Sequence, residues 1–538
     1  MLRNRRRNVA GALLVAASLL AGGCAASESG GVGGDDDGEK IFVLAVDGIT
    51  NSADANNYTG IGHRIIFDPI KAPLWQYKTF DENGGKVTSP EDMVGFLVES
   101  WEFVDGGIDV TLKEGIKSAA GNTLTSEDVK WTLERVFAVE DSVGVGLAQR
   151  AGINPEEPVT VIDERNLRIN AEVNYLTLGI LDGYQFFPLD SKTVQENSGP
   201  DDPWGKEYLS THSATFGPYQ ITEFVPSESV TYERNPNFTL FETAWDRIVL
   251  RHVPDPATRV SLLQTGEAQY IGQVGFESLG ELRNDSRATI LSTQFGSQDV
   301  LELTKTFEPF QDERVRKAIS YALDRQALAD GPYRGFAAPS TSIVSTAINT
   351  HNSTDDAFNF NQDKARELLA DAGYEDLSFT IYANETSMSG PADSVLTALA
   401  QQLGDVGIKV SVQTVASPQD FRAAYSEGKY EAWIRSEGPL QVDAQYLLNL
   451  YHHTNAPSNF QAQSDPIIDA AIDAAGPLRG EERQAAIAPA IEQFNKTMLN
   501  VPLVETSRVD VYSSSVCPGA RNLSYLIQPQ YAKPGPCS

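Results

Sequence analysis

Helix-like segments run directly into strand-like segments along most of this chain, and that alternation restricts it to an α/β architecture. The clearest example is the helical pattern of 391–406, which stops at Gly407 and is followed by the strand-like run Ile408–Val412. An earlier apolar run, Ile41–Val46, has the length of a strand that is buried on both faces. Because 538 residues exceed one hydrophobic core, we predict an α/β fold with two or more lobes.

Three further segments have clear local patterns. The stretch 97–117 reads as a helix end followed by two strands across the turn 105–107, and Thr125 is a good N-cap for the helix after it. The apolar spacing of 312–329 predicts one continuous amphipathic helix. A third helix, over 363–372, should end at Gly373.

The first residues have the pattern of an export signal. Four arginines precede the apolar stretch Val9–Ala21, which is too short to span a bilayer because a span needs about 20 residues. Gly22 and Gly23 then stand directly before Cys24, which resembles a bacterial lipobox. We predict a lipoprotein signal peptide at 1–23 and lipidation of Cys24, palmitate included. The alternative is ordinary cleavage nearby, which leaves a free thiol.

The residues after the signal, 24–39, combine glycines with three adjacent aspartates, and we predict a flexible tether. The formal net charge is −31 and becomes −35 when the signal leaves with its four arginines and no acid. A chain this acidic lacks the basic surface that nucleic-acid binding requires. No second segment is long and apolar enough to cross a membrane. We therefore predict an extracytoplasmic body, anchored to the outer face of the cell membrane by Cys24.

Few residues suggest metal or catalytic chemistry. Apart from Cys24 the only cysteines are Cys517 and Cys537, and in an oxidising compartment we expect them to form a disulfide. No H-E-x-x-H or G-x-S-x-G motif is present, so we predict no enzyme, no cofactor and no resident metal. The adjacent pair His452 and His453 is expected in a surface loop, because neighbouring side chains point in different directions on regular structure.

Several motif blocks occur in a fixed order over residues 40–505, and together they define a resemblance. The blocks lie at Leu97–Glu102, Leu112–Lys117, Leu124–Arg135, Phe216–Phe238, Ile248–Gln269, Asp312–Leu328, Ala365–Tyr374 and Leu399–Val410. Taken in order, they resemble the extracytoplasmic solute-binding proteins of ABC importers, family 5, also called cluster C or the oligopeptide/dipeptide-binding type.

The resemblance implies a two-lobed, flytrap-like fold of the type II periplasmic-binding-protein class. It places lobe I at 40–300 with an extra subdomain inserted at about 63–211, and lobe II at 301–500. The segment 501–538 would return to lobe I and end in the disulfide-closed tail. The expected partners are a solute and the membrane permease subunits, and the expected state is a monomer.

The same resemblance points to a pocket segment at 429–438. In peptide binders of the family the tryptophan matched by Trp433 is followed three residues later by an aspartate that pairs with the ligand's ammonium group. Here that position is Ser436, with Glu437 one residue further on. Either Glu437 reaches the ammonium, or the ligand lacks an amine and Ser436 offers a hydroxyl; Arg435 could face a carboxylate or phosphate.

Other interpretations of these residues stay open. Arg435 and Glu437 also suit a solvated surface pair, and Trp433 also suits core packing. The loop with Asn57 and Tyr58 also suits a loop without ligand contact.

A further candidate lies where the chain should cross into lobe II, at 295–299. The backbone at Ser297 and Gln298 could pair with an extended ligand as an added strand.

We predict a solute-binding receptor that captures short peptides by hinge closure and delivers them to a permease. An oligosaccharide or opine-like solute is the alternative within the class. The alternatives outside it are an exported hydrolase and a sensing lipoprotein without a transporter.

Overall fold

The computed structural model describes residues 39–57, 64–77, 93–348, 350–351, 356–438, 443–518 and 533–534. The predicted signal peptide, nearly all of the tether with Cys24, and the candidate residues Tyr58 and Cys537 lie outside the described residues. The predictions made for them stay predictions.

The strands are β1 Ile41–Val46, β2 Trp75–Tyr77, β3 Met93–Gly95, β4 Val98–Val104, β5 Gly107–Leu112, β6 Val159–Val161, β7 Asn166–Asn170, β8 Tyr219–Val225, β9 Ser229–Arg234, β10 Arg247–His252, β11 Tyr270–Ile271, β12 Ala288–Leu303, β13 Ala337–Pro339, β14 Ser378–Ala383, β15 Lys409–Thr414, β16 Ala432–Glu437, β17 Val501–Ser513, β18 Val516–Cys517 and β19 Lys533–Pro534. The helices are α1 Arg64–Phe67, α2 Ser126–Ala138, α3 Gly144–Arg150, α4 Thr177–Leu181, α5 Ser191–Glu196, α6 Lys206–Leu209, α7 Pro256–Thr265, α8 Phe276–Leu282, α9 Glu313–Tyr321, α10 Arg325–Asp330, α11 Gln362–Ala372, α12 Ala392–Gly404, α13 Pro418–Ser426, α14 Ala444–Tyr451, α15 Pro466–Ala475 and α16 Gly480–Thr497.

One eleven-stranded sheet runs in the order β15-β14-β16-β12-β17-β11-β1-β10-β9-β8, with β13 added on β17. Two groups of parallel strands lie within it, one around β14 and one around β1. The strands β12 and β17 join these groups and pair antiparallel along most of their length. We call the half around β1 and β8–β11 the first lobe and the half around β14–β16 the second lobe. The predicted α/β, two-lobed class is confirmed.

The second lobe buries a core between its sheet and the helices α9–α12, with Leu301, Ile434 and Leu399 fully buried. The prediction of one helix over 312–329 is wrong, because the helix ends at Tyr321 and a second one starts at Arg325. The side chain of Asp324 accepts a hydrogen bond from the backbone N–H of Ala327 and so starts the new helix. The helix predicted to end at Gly373 does so, in a left-handed cap with φ of 79°.

A separate four-stranded sheet, in the order β4-β5-β7-β6, carries the second core of the first lobe. We call the part of the chain from β4 to β7 the subdomain. Its first hairpin turns at 105–106, as predicted, but the residues from Val98 onward form β4 rather than a helix end. Thr125 is the N-cap of α2, as predicted, and the Asp128 carboxylate accepts its backbone N–H at 2.9 Å. The predicted bounds of the inserted subdomain stay a prediction.

The passage between lobes lies at an irregularity in β12. The register against β17 shifts between Gln294 and Ser297, and Gly296 has φ of 87°, which only glycine adopts without strain. Beyond this bulge, from Gln298 onward, β12 also pairs with β16 of the second lobe. A bulge therefore stands at the point where the strand passes from one lobe to the other, while the predicted boundary at 300 stays a prediction.

Near the end of the described chain, β18 and β19 form a short ladder in which Cys517 stands opposite Lys533. Among the residues that the structure describes, Cys517 has no disulfide partner. Because Cys537 lies outside the described residues, the disulfide stays a prediction.

The loop after β1 is held to the subdomain by a buried ion pair. The guanidinium of Arg135 meets the carboxylate of Asp54 through two hydrogen bonds, of 3.0 and 2.6 Å. Its Nε donates to the backbone oxygen of Trp204 at 2.7 Å, and both charged side chains are at most 2% exposed. This contact fixes the start of the turn that carries Asn57.

We expect Asp54→Asn to lower the free energy of unfolding by about 3–5 kcal/mol, because it leaves the Arg135 charge buried without its counter-charge. Urea denaturation measures the change. The matched control is Glu99→Gln, which breaks the exposed pair with Arg165 and should cost at most about 1 kcal/mol. Equal losses in the two variants would contradict the importance of burial at Asp54.

Candidate ligand-binding site

The predicted pocket residues lie on β16, in the middle of the second lobe's sheet. Opposite them on β12, Gln298 pairs with Glu437 and Asp299 pairs with Ser436. Because side chains alternate along a strand, Ser436 faces one side of the sheet and its neighbours face the other. The segment that the sequence analysis treated as one pocket is thus divided between two faces.

On one face, Arg435 is the centre of a buried ionic network. Its Nε donates to Glu302 at 2.6 Å and one terminal nitrogen donates to Glu437 at 2.9 Å. The other terminal nitrogen donates to the backbone oxygen of Ser458 at 2.9 Å, and the guanidinium lies 4.6 Å from the centre of the Tyr451 ring. Each of the three guanidinium nitrogens therefore has an acceptor inside the protein.

Both carboxylate oxygens of Glu437 also have partners inside the protein. Its second oxygen lies 2.9 Å from Nε2 of His452, and the other ring nitrogen of His452 lies 2.6 Å from the amide nitrogen of Gln463. Burial raises the pKa of Glu437, but His452 and Arg435 outweigh burial and hold that pKa below its ordinary value. Glu437 is 1% exposed, so both of its carboxylate contacts lie inside the protein.

These contacts overturn the interpretation of Arg435 and Glu437 as a solvated surface pair, since both are buried and paired with each other. The physical reason is the strand's alternation, which turns both side chains to the same covered face as Trp433. Their predicted contact with a ligand stays a prediction.

Trp433 is fully buried in an aromatic cluster. Its ring stacks on Tyr425 at 5.6 Å with the planes 7° apart, and Phe421 and Tyr430 belong to the same cluster. Within the described part of the chain its indole nitrogen has no hydrogen-bond partner. The geometry favours the core-packing interpretation over ligand contact.

Gln298 is also occupied on that face. Its amide nitrogen donates to the backbone oxygen of Ile343 at 2.5 Å, and its oxygen accepts from Ser340 at 2.6 Å. At 1% exposure its side chain is occupied by these two contacts, and the predicted backbone contact with a ligand stays a prediction.

The opposite face carries a cluster of hydroxyl groups around Ser436. The Ser436 oxygen lies 3.0 Å from that of Ser297 and 3.2 Å from that of Ser389. Ser297 follows the bulge of β12, and Ser389 lies in the loop between β14 and α12. Ser297 is buried, Ser436 is half-buried and Ser389 is exposed. The structure thus brings two predicted residues, Ser297 and Ser436, together with one that was not predicted.

A buried carboxylate, Asp299, lies behind this cluster. It accepts from the Tyr333 hydroxyl at 2.6 Å and from the backbone N–H groups of Ser389 and Gly390 at 3.0 and 3.1 Å. Burial raises the pKa of Asp299, and hydrogen bonds from these donors and from Ser436 oppose the rise. Sequence reasoning missed Asp299 as a site residue because only the register of β12 against β16 shows that it faces Ser436.

The cluster stands where ligands bind in many α/β proteins. It lies at the carboxyl ends of β14 and β16 and beside the bulge where β12 changes lobes. Asn57, the other predicted contact, ends a short turn in the first lobe and is half-buried. Its ligand contact stays a prediction.

The two lobes also touch through the subdomain and α14–α16. Tyr446 of α14 is buried in the subdomain core, and Arg483 lies 4.8 Å from the ring centre of Tyr175. Further out, Arg479 lies 4.1 Å from the ring centre of Phe103. Both arginines belong to the second lobe and both rings to the first. We call these contacts the lobe latch.

We expect Glu437→Gln to lower the free energy of unfolding by about 1–3 kcal/mol, because Arg435 and His452 lose a charged partner. Affinity for the solute that copurifies with the wild type should not change. Urea denaturation and calorimetric titration measure the two effects. The control is Glu367→Gln, which removes an exposed acid paired with Lys364. Normal stability with lost affinity would show that Glu437 is a ligand contact after all.

In the ranges that the structure describes, no group of three His, Cys, Asp or Glu side chains could hold a metal ion. Over the same residues, no helix has both the length and the apolar character needed to cross a membrane.

Comparison with known proteins gives the class. The family model of bacterial extracellular solute-binding proteins, family 5 Middle, matches residues 92–459. The chain is 27% identical over 452 residues to the glutathione-binding protein GsiB of Salmonella paratyphi A, covering 78% of this chain and 82% of that protein.

Solved structures agree in fold. The periplasmic binding protein DppA of Helicobacter pylori, in complex with the peptide STSA, superimposes with a TM-score of 0.71 at 18% identity, covering 92% of this chain and 98% of that one. NikA of Staphylococcus aureus, in complex with Ni(L-His)2, gives a TM-score of 0.68 at 18% identity, covering 92% and 100%. The family match spans well over half of the sequence, so the resemblance predicted from the motif blocks is confirmed. The chain belongs to the family 5 bacterial extracellular solute-binding proteins.

Proposed function

We propose that this protein is the solute receptor of an ABC importer, that it captures short peptides outside the membrane, and that it delivers them to a permease. The observation that carries the proposal is the family match over 92–459 together with the relatives' ligands. GsiB is named for glutathione, itself a tripeptide, and DppA is in complex with a tetrapeptide. Anchoring through Cys24 and a monomeric state belong to the same proposal.

Two features of the structure support this proposal, one for a peptide ligand and one for closure of the lobes. The hydroxyl cluster around Ser436 offers hydrogen-bonding groups of the kind that bind backbone amides and chain ends. The passage of β12 beside it supports closure of the lobes, because a bulge with a glycine at φ of 87° is a weak point in the ladder. A receptor of this kind needs no reacting group of its own.

The first expected outcome concerns the natural ligand. Protein purified from cells that express the full chain should release short peptides on denaturation, because a closed cleft retains its solute. Mass spectrometry of the released molecules identifies them. Titration calorimetry with glutathione and with the peptide STSA then tests binding directly. An oligosaccharide, or any solute without amide bonds, would contradict the peptide proposal and leave the family assignment intact.

The second expected outcome concerns closure. We expect Arg479→Ala to weaken ligand affinity by about two- to fivefold, because the contact with Phe103 exists only when the lobes meet and is worth about 0.5–1 kcal/mol. Stability should change little, since Phe103 is partly exposed. The control is Arg366→Ala, an arginine of the second lobe whose paired acid, Asp363, is on its own helix. If both variants bind equally well, the latch does not contribute to affinity.

A further inference from the structure

Arg508 of β17 differs from the buried arginines in how little of its guanidinium is used. Arg435 and Arg316 have acceptors inside the protein for all three guanidinium nitrogens. In the described portion of the chain, the side chain of Arg508 has one hydrogen-bond partner, Asp510, to which its Nε donates at 3.0 Å. The side chain is 21% exposed and its two terminal nitrogens are not buried, so both stay open to a further acceptor.

The register of β17 places Arg508 on the same face as the hydroxyl cluster. Thr506 stands opposite Ser297 of β12, and side chains of directly opposed residues point to the same face. Because side chains alternate along a strand, Arg508, two residues further on, faces that side too. The Ser297 oxygen lies 3.0 Å from that of Ser436. Two residues of a strand span about 6–7 Å, a distance that the long arginine side chain covers.

Asp510 holds this guanidinium by one edge and leaves the other edge free. The same Asp510 oxygen also accepts from the Tyr270 hydroxyl at 3.2 Å, and Asp510 is buried. Burial lowers the pKa of Arg508, but Asp510, with smaller contributions from Tyr270 and Asp68, outweighs burial and raises that pKa above its ordinary value. The charge is therefore kept. The free edge is the fork of the two terminal nitrogens, which matches the two oxygens of a carboxylate.

We propose that Arg508 binds a carboxylate group of the solute through its two terminal nitrogens, at a subsite beside the hydroxyl cluster. This inference deepens the proposed peptide function and rests on it for the identity of the molecule. The sequence analysis considered this role for Arg435, whose nitrogens already have acceptors inside the protein. At Arg508 the ligand carboxylate supplies acceptors that the protein itself does not, and a cleft that closes over the pair strengthens it.

The test compares the peptide STSA, which carries one carboxylate, with its C-terminal amide by titration calorimetry. The wild type should prefer the carboxylate, and in Arg508→Gln that preference should fall about tenfold or more, the worth of a hydrogen bond to a charged group. Arg287→Gln is the matched control, because Arg287 also pairs with an aspartate two residues away, Asp285, but is 56% exposed. Its preference should equal that of the wild type.

Asp510→Asn separates ligand binding from a purely structural role. If Arg508 serves only to neutralise Asp510, neither variant should change the ratio between the affinities for the acid and for the amide. If Arg508 binds the solute, Asp510→Asn removes a competing carboxylate, so the preference for the acid should persist or increase. An unchanged ratio in Arg508→Gln would overturn the inference while leaving peptide binding intact.

A readout on the unaltered protein covers the case in which Arg508→Gln does not fold. Phenylglyoxal modifies accessible guanidinium groups, and mass spectrometry locates the modified arginines. We expect Arg508 to react in the wild type freed of its solute and to be protected by saturating STSA, while Arg287 reacts in both states. An Arg508 that stays equally reactive in the presence of bound STSA would overturn the inference.

The solute that copurifies with the full chain distinguishes failure of this inference from failure of the peptide proposal. If STSA does not bind, the most abundant released peptide and its C-terminal amide take its place in both experiments. A released solute that is not a peptide contradicts the peptide proposal. If that solute also carries no carboxylate, the inference about Arg508 is overturned as well, whereas a carboxylated solute that protects Arg508 from phenylglyoxal supports it.

Discussion

The antiparallel pair of β12 and β17 is the interaction on which both lobes depend. Every other strand of the large sheet belongs to one lobe, whereas these two strands continue from one to the other. A pair of long strands resists separation because each of its ladder hydrogen bonds would be left unsatisfied. It bends most easily where the ladder is interrupted, and here the register shifts between Gln294 and Ser297 and again between Asp299 and Val300. The hydroxyl cluster lies beside the first of these shifts, since Ser297 follows it directly. A change in the relative position of the lobes would therefore alter the geometry of the cluster.

The elements of the fold could be predicted from the sequence much better than the site. Apolar periodicity and capping residues are local, so β1, the β4–β5 hairpin, and the helices that begin after Thr125 and end before Gly373 were predictable. The error over 312–329 is local too, because the hydrophobic pattern continues while Asp324 starts a new helix. The class followed from the order of the motif blocks.

The site could not be predicted in the same way because it depends on pairing between distant strands. In a chain with 73 acidic residues, nearness along the sequence does not distinguish a paired carboxylate from one beside a ligand. Glu437 looked available because its partner His452 lies at the end of another element, and its partner Arg435 is fixed by the distant Glu302. Asp299 looked incidental because its partner, Ser436, is 137 positions away and is fixed only by the register. Ser436 and Glu437 are adjacent, but because side chains alternate along a strand they face opposite sides of the sheet.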